Sequence, residues 1–154
     1  MSPRIILNAK EKALHLLSRC EQCRASLELK LGIKGYSREE IRAALSALEE
    51  EGLLSDRRFA IAWLRDRAIH AHEGRALLAA HLAKRGIERT TAELALEEAF
   101  AERSEEERCE LALAKYHRTG GKAPPEIHLT RLGFPAGMVR RCVQETSNHK
   151  GSAD

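Results

Sequence analysis

Aromatic side chains make up only 4% of this 154-residue chain, with one Trp, two Tyr and three Phe, so Leu and Ala do most of the apolar work. Long apolar runs are also missing. The longest stretches without a formal charge, 76–83 and 132–139, are eight residues each, and a membrane-spanning helix needs about 20. The apolar part of Met1–Leu7 is too short for a signal peptide, so the cytoplasm is the expected location. Runs of β-branched residues, which would mark strands, are absent. So are a nucleophile motif, a phosphate-binding glycine loop, a paired acid–base constellation and a metal-ligand set, and an enzyme is therefore not expected. The seven histidines form neither H-x-x-E-H nor H-E-x-x-H.

The four cysteines form no convincing framework. Cys20–Glu21–Gln22–Cys23 is a lone C-x-x-C without the βαβ context of a redox motif. A structural zinc would need two more ligands, with His15 the nearest. The competing reading is small apolar residues in helices of a reducing compartment. No cofactor and no metal are expected.

What the chain does contain is helix-forming composition and a repeat. Leu, Ala, Glu, Arg and Lys dominate, all of them helix formers. Shifting the sequence by 51 places Leu31 on Leu82, Gly35 on Gly86, Tyr36 on Ile87 and Leu45 on Leu96. A further shift of 47 places these on Leu129, Gly133, Phe134 and Val143. A period near 50 marks one small supersecondary unit stacked in series, which builds a long surface instead of a deep pocket.

Nine helices are expected, three per unit. The first unit, 9–52, contains helices over about Ala9–Arg19, Arg24–Lys34 and Ser37–Glu51. Ala13, Leu14, Leu17 and Cys20 share a stripe of the first, and Leu27 and Leu31 lie one turn apart on the second. Gly35 suits the left-handed residue after the second helix. Ser37 and Glu40 form a capping box for the third, whose seam is Ile41, Leu45 and Leu48. The second unit, 53–103, opens at Ser55–Asp56. Its first helix ends near His70 with Phe59, Ala62 and Trp63 facing inward, and its other two cover about Arg75–Arg85 and Thr91–Arg103. Leu78 and Leu82 repeat Leu27 and Leu31, while Ala92, Leu96 and Phe100 face inward. The third unit, 104–146, starts with a second capping box, Ser104 and Glu107, ahead of Ala112, Leu113 and Tyr116. After the loop Thr119–Pro125 come a short helix over about Glu126–Leu132 and a last one opened by Pro135, with Val139 and Val143 inside. Residues 147–154 read as a frayed tail. The architecture expected is all-α: three tandem three-helix repeats in an elongated, curved array, as a monomer.

Net charge is +3, but its distribution is uneven. Residues 53–75 carry five basic and three acidic groups, and residues 108–154 carry eight and four. This is a moderate nucleic-acid signal set against the plain reading of a solvated mixed-charge surface. Glu49–Glu50–Glu51 stands at a helix C-terminus, where the dipole disfavours negative charge, and reads as solvated.

The run from Glu49 through Gly52–Leu53–Leu54–Ser55–Asp56–Arg57–Arg58–Phe59–Ala60 to Trp63–Leu64–Arg65–Asp66–Arg67–Ala68 resembles the characteristic segment of RecX regulatory proteins. Gly74 to Gly86–Ile87, and Leu132–Gly133–Phe134 followed by Val139–Arg140–Arg141, fit the same pattern. The resemblance spans residues 9–146. It implies an elongated all-helical modulator, mainly negative, of the RecA recombinase. Such a protein engages the RecA–single-stranded DNA filament in its groove and restrains ATP hydrolysis, strand exchange and the co-protease activity of the SOS response. Double-stranded DNA is a further partner to consider.

The candidates for filament and DNA contact are Arg57, Arg58, Arg65, Arg67 and Arg75 in the middle unit, Lys84 and Arg85 before the Gly86 turn, and Lys115, Arg118, Lys122, Arg131, Arg140 and Arg141 in the last. Trp63, four residues from Phe59, reads as core before it reads as a base-stacking platform. The fifth helix, arginine-rich in many members, carries little charge here (Ala76–His81). A helix-turn-helix DNA-binding regulator is the alternative, with Gly35–Tyr36–Ser37 as the turn. Against it, the helix after that turn opens Arg38–Glu39–Glu40, which would present carboxylates to bases and phosphates.

Overall fold

A computed structural model describes residues 7–150, and within them all the regular secondary structure is helical: α1 (Ala9–Leu17), α2 (Arg24–Ile33), α3 (Arg38–Glu50), α4 (Asp56–His70), α5 (Arg75–Lys84), α6 (Arg89–Glu102), α7 (Glu105–Thr119), α8 (Pro125–Arg131) and α9 (Ala136–Lys150). α9 thus runs past 146, where fraying was expected. The rest of the expected tail, 151–154, and most of the N-terminal segment lie outside the described residues.

The helices group in threes. The extensive helix–helix packing is α1, α2 and α3 on one another, α6 against α4 and α5, and α7, α8 and α9 on one another. Each group has its own core. Ala13, Leu27, Leu31, Ile41, Leu45, Leu48 and Leu54 form the first. Ala60, Leu64, Leu78, Leu82, Ala95 and Leu96 centre the second. Cys109, Ala112, Leu113, Leu129, Phe134 and Val139 centre the third. Three small cores in a row leave much surface in water.

The second helix of each unit ends the same way. The Tyr36, Ile87 and Phe134 N–H groups donate to the carbonyls of Leu31, Leu82 and Leu129 at 3.3, 3.2 and 3.4 Å. The intervening Gly35, Gly86 and Gly133 have φ of 91°, 78° and 89°, a left-handed conformation that carries no Cβ penalty only for glycine. Both expected capping boxes form at Ser37/Glu40 and Ser104/Glu107, and a third forms at Asn8/Glu11.

The joints between units also repeat. At the first, the Arg24 N–H at the start of α2 donates to Asp56 Oδ1 at 2.7 Å. At the second, the Arg75 N–H at the start of α5 donates to Glu105 Oε1 at 2.8 Å. Asp56 and Glu105 are the first residues of α4 and α7. One carboxylate from the following unit therefore satisfies an orphan N–H of the preceding unit, and it sits favourably at two helix N-termini at once. The glycine turns complete the joint. A Cβ on Gly86 would come within 2.7 Å of Ala25 Cβ, and one on Gly133 within 2.6 Å of Leu77, whereas Gly35, in the first unit, has open space. α8 begins at Pro125, which has no N–H to satisfy.

Some packing differs from the sequence expectation. α1 stops at Leu17, and Cys20 is exposed instead of completing its stripe. On α4 the fully buried residues are Ala60 and Leu64; Phe59 and Trp63 are half-buried and Ala62 is exposed. The buried seam is rotated by about one residue because α4 packs mainly on α6, and the ring of Trp63 lies at the edge of that contact. Phe100, Tyr116 and Val143 are likewise half-buried.

Candidate functional site

The four arginines of α4 are all occupied within the protein. Arg57 Nη2 lies 3.9 Å from Glu98, and Arg65 Nη2 lies 3.4 Å from Glu98 and 3.2 Å from Glu102. Arg58 pairs with Glu21 and also donates to the carbonyls of Gly52 and Leu53 at 3.1 and 3.0 Å, closing the end of α3. Arg67 makes a two-pronged contact with Glu73 at 2.9 and 2.6 Å. The Glu73 carboxylate is buried, and the hydrogen bond it accepts raises the Arg67 pKa above its ordinary value. Exposed pairs such as those of Arg57 and Arg65 contribute only about 0–1 kcal/mol, yet they lower the net charge presented by that face. In unit one, Glu49 and Glu51 are similarly paired, with Arg24 at 2.6 Å and Lys10 at 2.5 Å.

Trp63 has a definite local role. The Arg85 guanidinium lies 4.5 Å and the Arg67 guanidinium 5.6 Å from its ring centroid, with His81 edge-on at 6.0 Å. Arg85 also donates to the His81 carbonyl at 3.0 Å. The indole is thus flanked by cations and is not presented as an open stacking surface.

Unit three is different. Among the described residues no ion pair involves residues 104–150, and Lys115, Arg118, Lys122, Arg131, Arg140 and Arg141 are exposed. Lys115 Nζ donates to the His70 carbonyl at 3.3 Å. Lys84 and Arg85, at the end of α5, are also exposed and carry no ion pair among the described residues. Arg75 is half-buried, with its guanidinium 5.8 Å from the Phe100 ring centroid.

Two groups that the sequence reading did not single out join this surface. Arg108 is buried, at 4% exposure, with its guanidinium 4.5 Å from the centroid of Phe100. Its signal was available: Arg108 lies one turn before Ala112, on the inward stripe of α7. His72, in the linker between α4 and α5, is pushed below its ordinary pKa by burial and then by the charges of Lys115, Arg103, Arg108 and Arg118. The charges of four cations, from the end of α6 and from α7, therefore act on one imidazole.

That depression carries a pH consequence. Unfolded, the imidazole takes up a proton near 6.5; folded, it does so only at lower pH. Stability is full above 6.5 and falls with acidification through the window down to the folded value. Thermal melts between pH 5 and 7.5 are expected to show this slope and to lose part of it in His72→Gln.

Cys109 and Cys142 lie together in the core of the third unit. Burial, helped by a hydrogen bond with Cys142, pushes the Cys109 thiol up to about 12, so it stays protonated at neutral pH. No group of three or more His, Cys, Asp or Glu among the described residues is placed to hold a metal ion. None of the helices among the described residues is long and apolar enough to cross a membrane.

Known proteins give this arrangement a lineage. The model for the first three-helix domain of RecX matches residues 9–48, and that for the second three-helix domain of RecX matches residues 55–96. The chain belongs to the RecX family. It is 36% identical over 132 residues to the regulatory protein RecX of Treponema pallidum, covering 85% of this chain and 80% of that one. Against the regulatory protein RecX of Chromohalobacter salexigens the identity is 35% over 141 residues, covering 87% and 90%. Two solved structures share the fold. The crystal structure of RecX from Lactobacillus salivarius superposes with a TM-score of 0.75 at 22% identity, over 89% of this chain and 93% of that one. A second crystal structure of a regulatory protein RecX gives 0.78 at 20% identity, over 88% and 71%. Membership in this family makes the chain one of a set of regulatory proteins.

Proposed function

We propose that this protein is a negative modulator of RecA that lies in the groove of the RecA–single-stranded DNA filament and restrains ATP hydrolysis, strand exchange and co-protease activity. The observation that carries the reading is a row of three cored units whose last member keeps its exposed lysines and arginines out of ion pairs among the described residues. A serial array offers a long surface to a polymeric partner. Exposed lysines and arginines that form no ion pair among the described residues add a phosphate term that weakens with salt. Lys84, Arg85, Lys115, Arg118, Lys122, Arg131, Arg140 and Arg141 are the residues best suited to that contact. Arg57, Arg58, Arg65 and Arg67 would first have to leave their carboxylates.

The test is RecA ATP turnover on single-stranded DNA with and without this protein. Suppression at or below one protein per RecA is expected, and undiminished turnover at equimolar protein would overturn the assignment. Replacing Lys115, Arg118 and Lys122 together by Ala is expected to weaken filament binding and to flatten the dependence of log affinity on log salt by about 2, at roughly 0.7 per phosphate contact on a single strand. Arg57→Ala with Arg65→Ala should change that slope far less. An unchanged slope in the triple variant would remove those three residues from the contact.

A further inference from the structure

At the seam between units two and three an open pocket of about 480 Å³ is lined by Arg65, Ala68, Ile69, His72, Glu102, Arg103 and Arg108. Its base is the buried Arg108. Two of its N–H groups are used weakly: Nε donates to the Arg103 carbonyl at 3.4 Å and Nη2 to the Ala99 carbonyl at 3.3 Å, both at the long end of the N–H···O range. A guanidinium has five N–H donors. Among the described residues Nη1 has no acceptor, and no carboxylate oxygen lies within ion-pair distance of Arg108.

The nearby carboxylates are engaged elsewhere. Glu102 is held by Arg65 at 3.2 Å, and Glu105 accepts the Arg75 N–H at 2.8 Å. Arg103 is exposed beside Arg108 and has no ion pair among the described residues. Beyond His72 the surface continues into a second hollow, lined in part by Glu73, Lys115, Tyr116 and His128. Arg118, one turn beyond Lys115 on α7, adds its charge to the field at His72.

A buried cation without an anion is a state that proteins normally resolve by pairing. Among the described residues Glu102 and Glu105 act on Arg108 only from beyond ion-pair distance, while the open side of the pocket admits an anion from outside. The geometry points to a phosphate-binding pocket at this seam, in which Arg108, Arg103 and His72 hold a single phosphate group supplied either free or by a nucleic-acid backbone. Donors come from three separate segments, the 71–74 linker, the end of α6 and α7, and three donor groups suit the several oxygens of a tetrahedral phosphate better than the two of a carboxylate. Ala68 and the exposed Ile69 supply the apolar part of the lining. The site is independent of the recombinase reading, because it can be tested with no RecA present.

The experiment follows the imidazole signals of His72 by NMR, assigned by their loss in His72→Gln. Inorganic phosphate, and separately a short oligothymidylate, are titrated at constant ionic strength balanced with chloride. Phosphate bound beside His72 favours its protonated form, so its pKa is expected to rise towards or above 6.5. Arg103→Gln and Arg108→Lys are each expected to weaken the response about tenfold, as for loss of one charge-assisted hydrogen bond. Arg103 is exposed, so its variant keeps the test alive if Arg108→Lys fails to fold. A response to both ligands assigns the pocket to any phosphate group, and a response to the oligonucleotide alone assigns it to a backbone phosphodiester. No response to either, or responses unchanged in folded Arg103→Gln, would overturn the proposal.

Discussion

Leu129→Ala is expected to open the third unit while leaving the first two closed. Leu31, Leu82 and Leu129 occupy equivalent places in the three repeats, each is fully buried, and each belongs to a different core. Truncating a buried Leu to Ala costs about 2–5 kcal/mol, from lost transfer energy plus the cavity left behind. In one globule that loss would be shared by the whole cooperative structure. In a row of units, stability is closer to a sum of unit terms and neighbour terms, so the loss falls where the cavity is. Native-state hydrogen exchange should show amides of α7–α9 losing most of their protection in Leu129→Ala while those of α1–α3 keep theirs. Leu31→Ala should give the mirror pattern. Leu82→Ala should touch both flanks, because the middle unit carries both joints. Equal loss across all helices in every variant would mean that the three cores melt as one.

The second large effect separates a joint from a turn. Gly35→Ala and Gly133→Ala impose the same backbone penalty, because both positions have φ near 90°, and an L-residue held there costs about 1–2 kcal/mol. Only the second also collides. Its Cβ would lie 2.6 Å from both Leu77 Cβ and the Leu77 backbone nitrogen, whereas nothing lies within 4 Å of a Cβ at residue 35. Overpacking of this kind adds about 1–3 kcal/mol. At roughly 2–4 °C per kcal/mol for a chain of this size, Gly133→Ala should melt several degrees below Gly35→Ala. Equal melting temperatures would show that the joint accommodates a methyl group and that the close approach of the units is not structural.

These experiments probe features that were unequally visible in the sequence. The triplication, the glycine turns and two of the three capping boxes were legible because each is a local rule: helical periodicity, a left-handed residue at a helix end, Ser-x-x-Glu at a helix start. The joints were not. That Asp56 and Glu105 would reach back to α2 and α5 depends on how successive units stack, and the one trace in the sequence was an acidic residue at the first position of both following helices. The inward face of α4 was misplaced by about a residue, since Phe59, Ala62 and Trp63 are a plausible apolar set until packing against α6 selects Ala60 and Leu64. Among the charged residues, the sequence located the basic excess in α4 and the last third alike. Only the fold neutralised the first with Glu21, Glu73, Glu98 and Glu102 and left the second open.

By itself, then, the sequence determined an all-helical chain of three like units, most helix ends to within a few residues, and the family to which the pattern belongs. Those properties follow from backbone preferences and side-chain spacing over a few residues. The tertiary structure alone decided which arginines are spent on carboxylates, that Arg108 is buried with no ion pair among the described residues, and that the charges of four cations act on His72. Pairing and burial are set by groups tens of residues apart in the chain, and no local pattern encodes the distance between them.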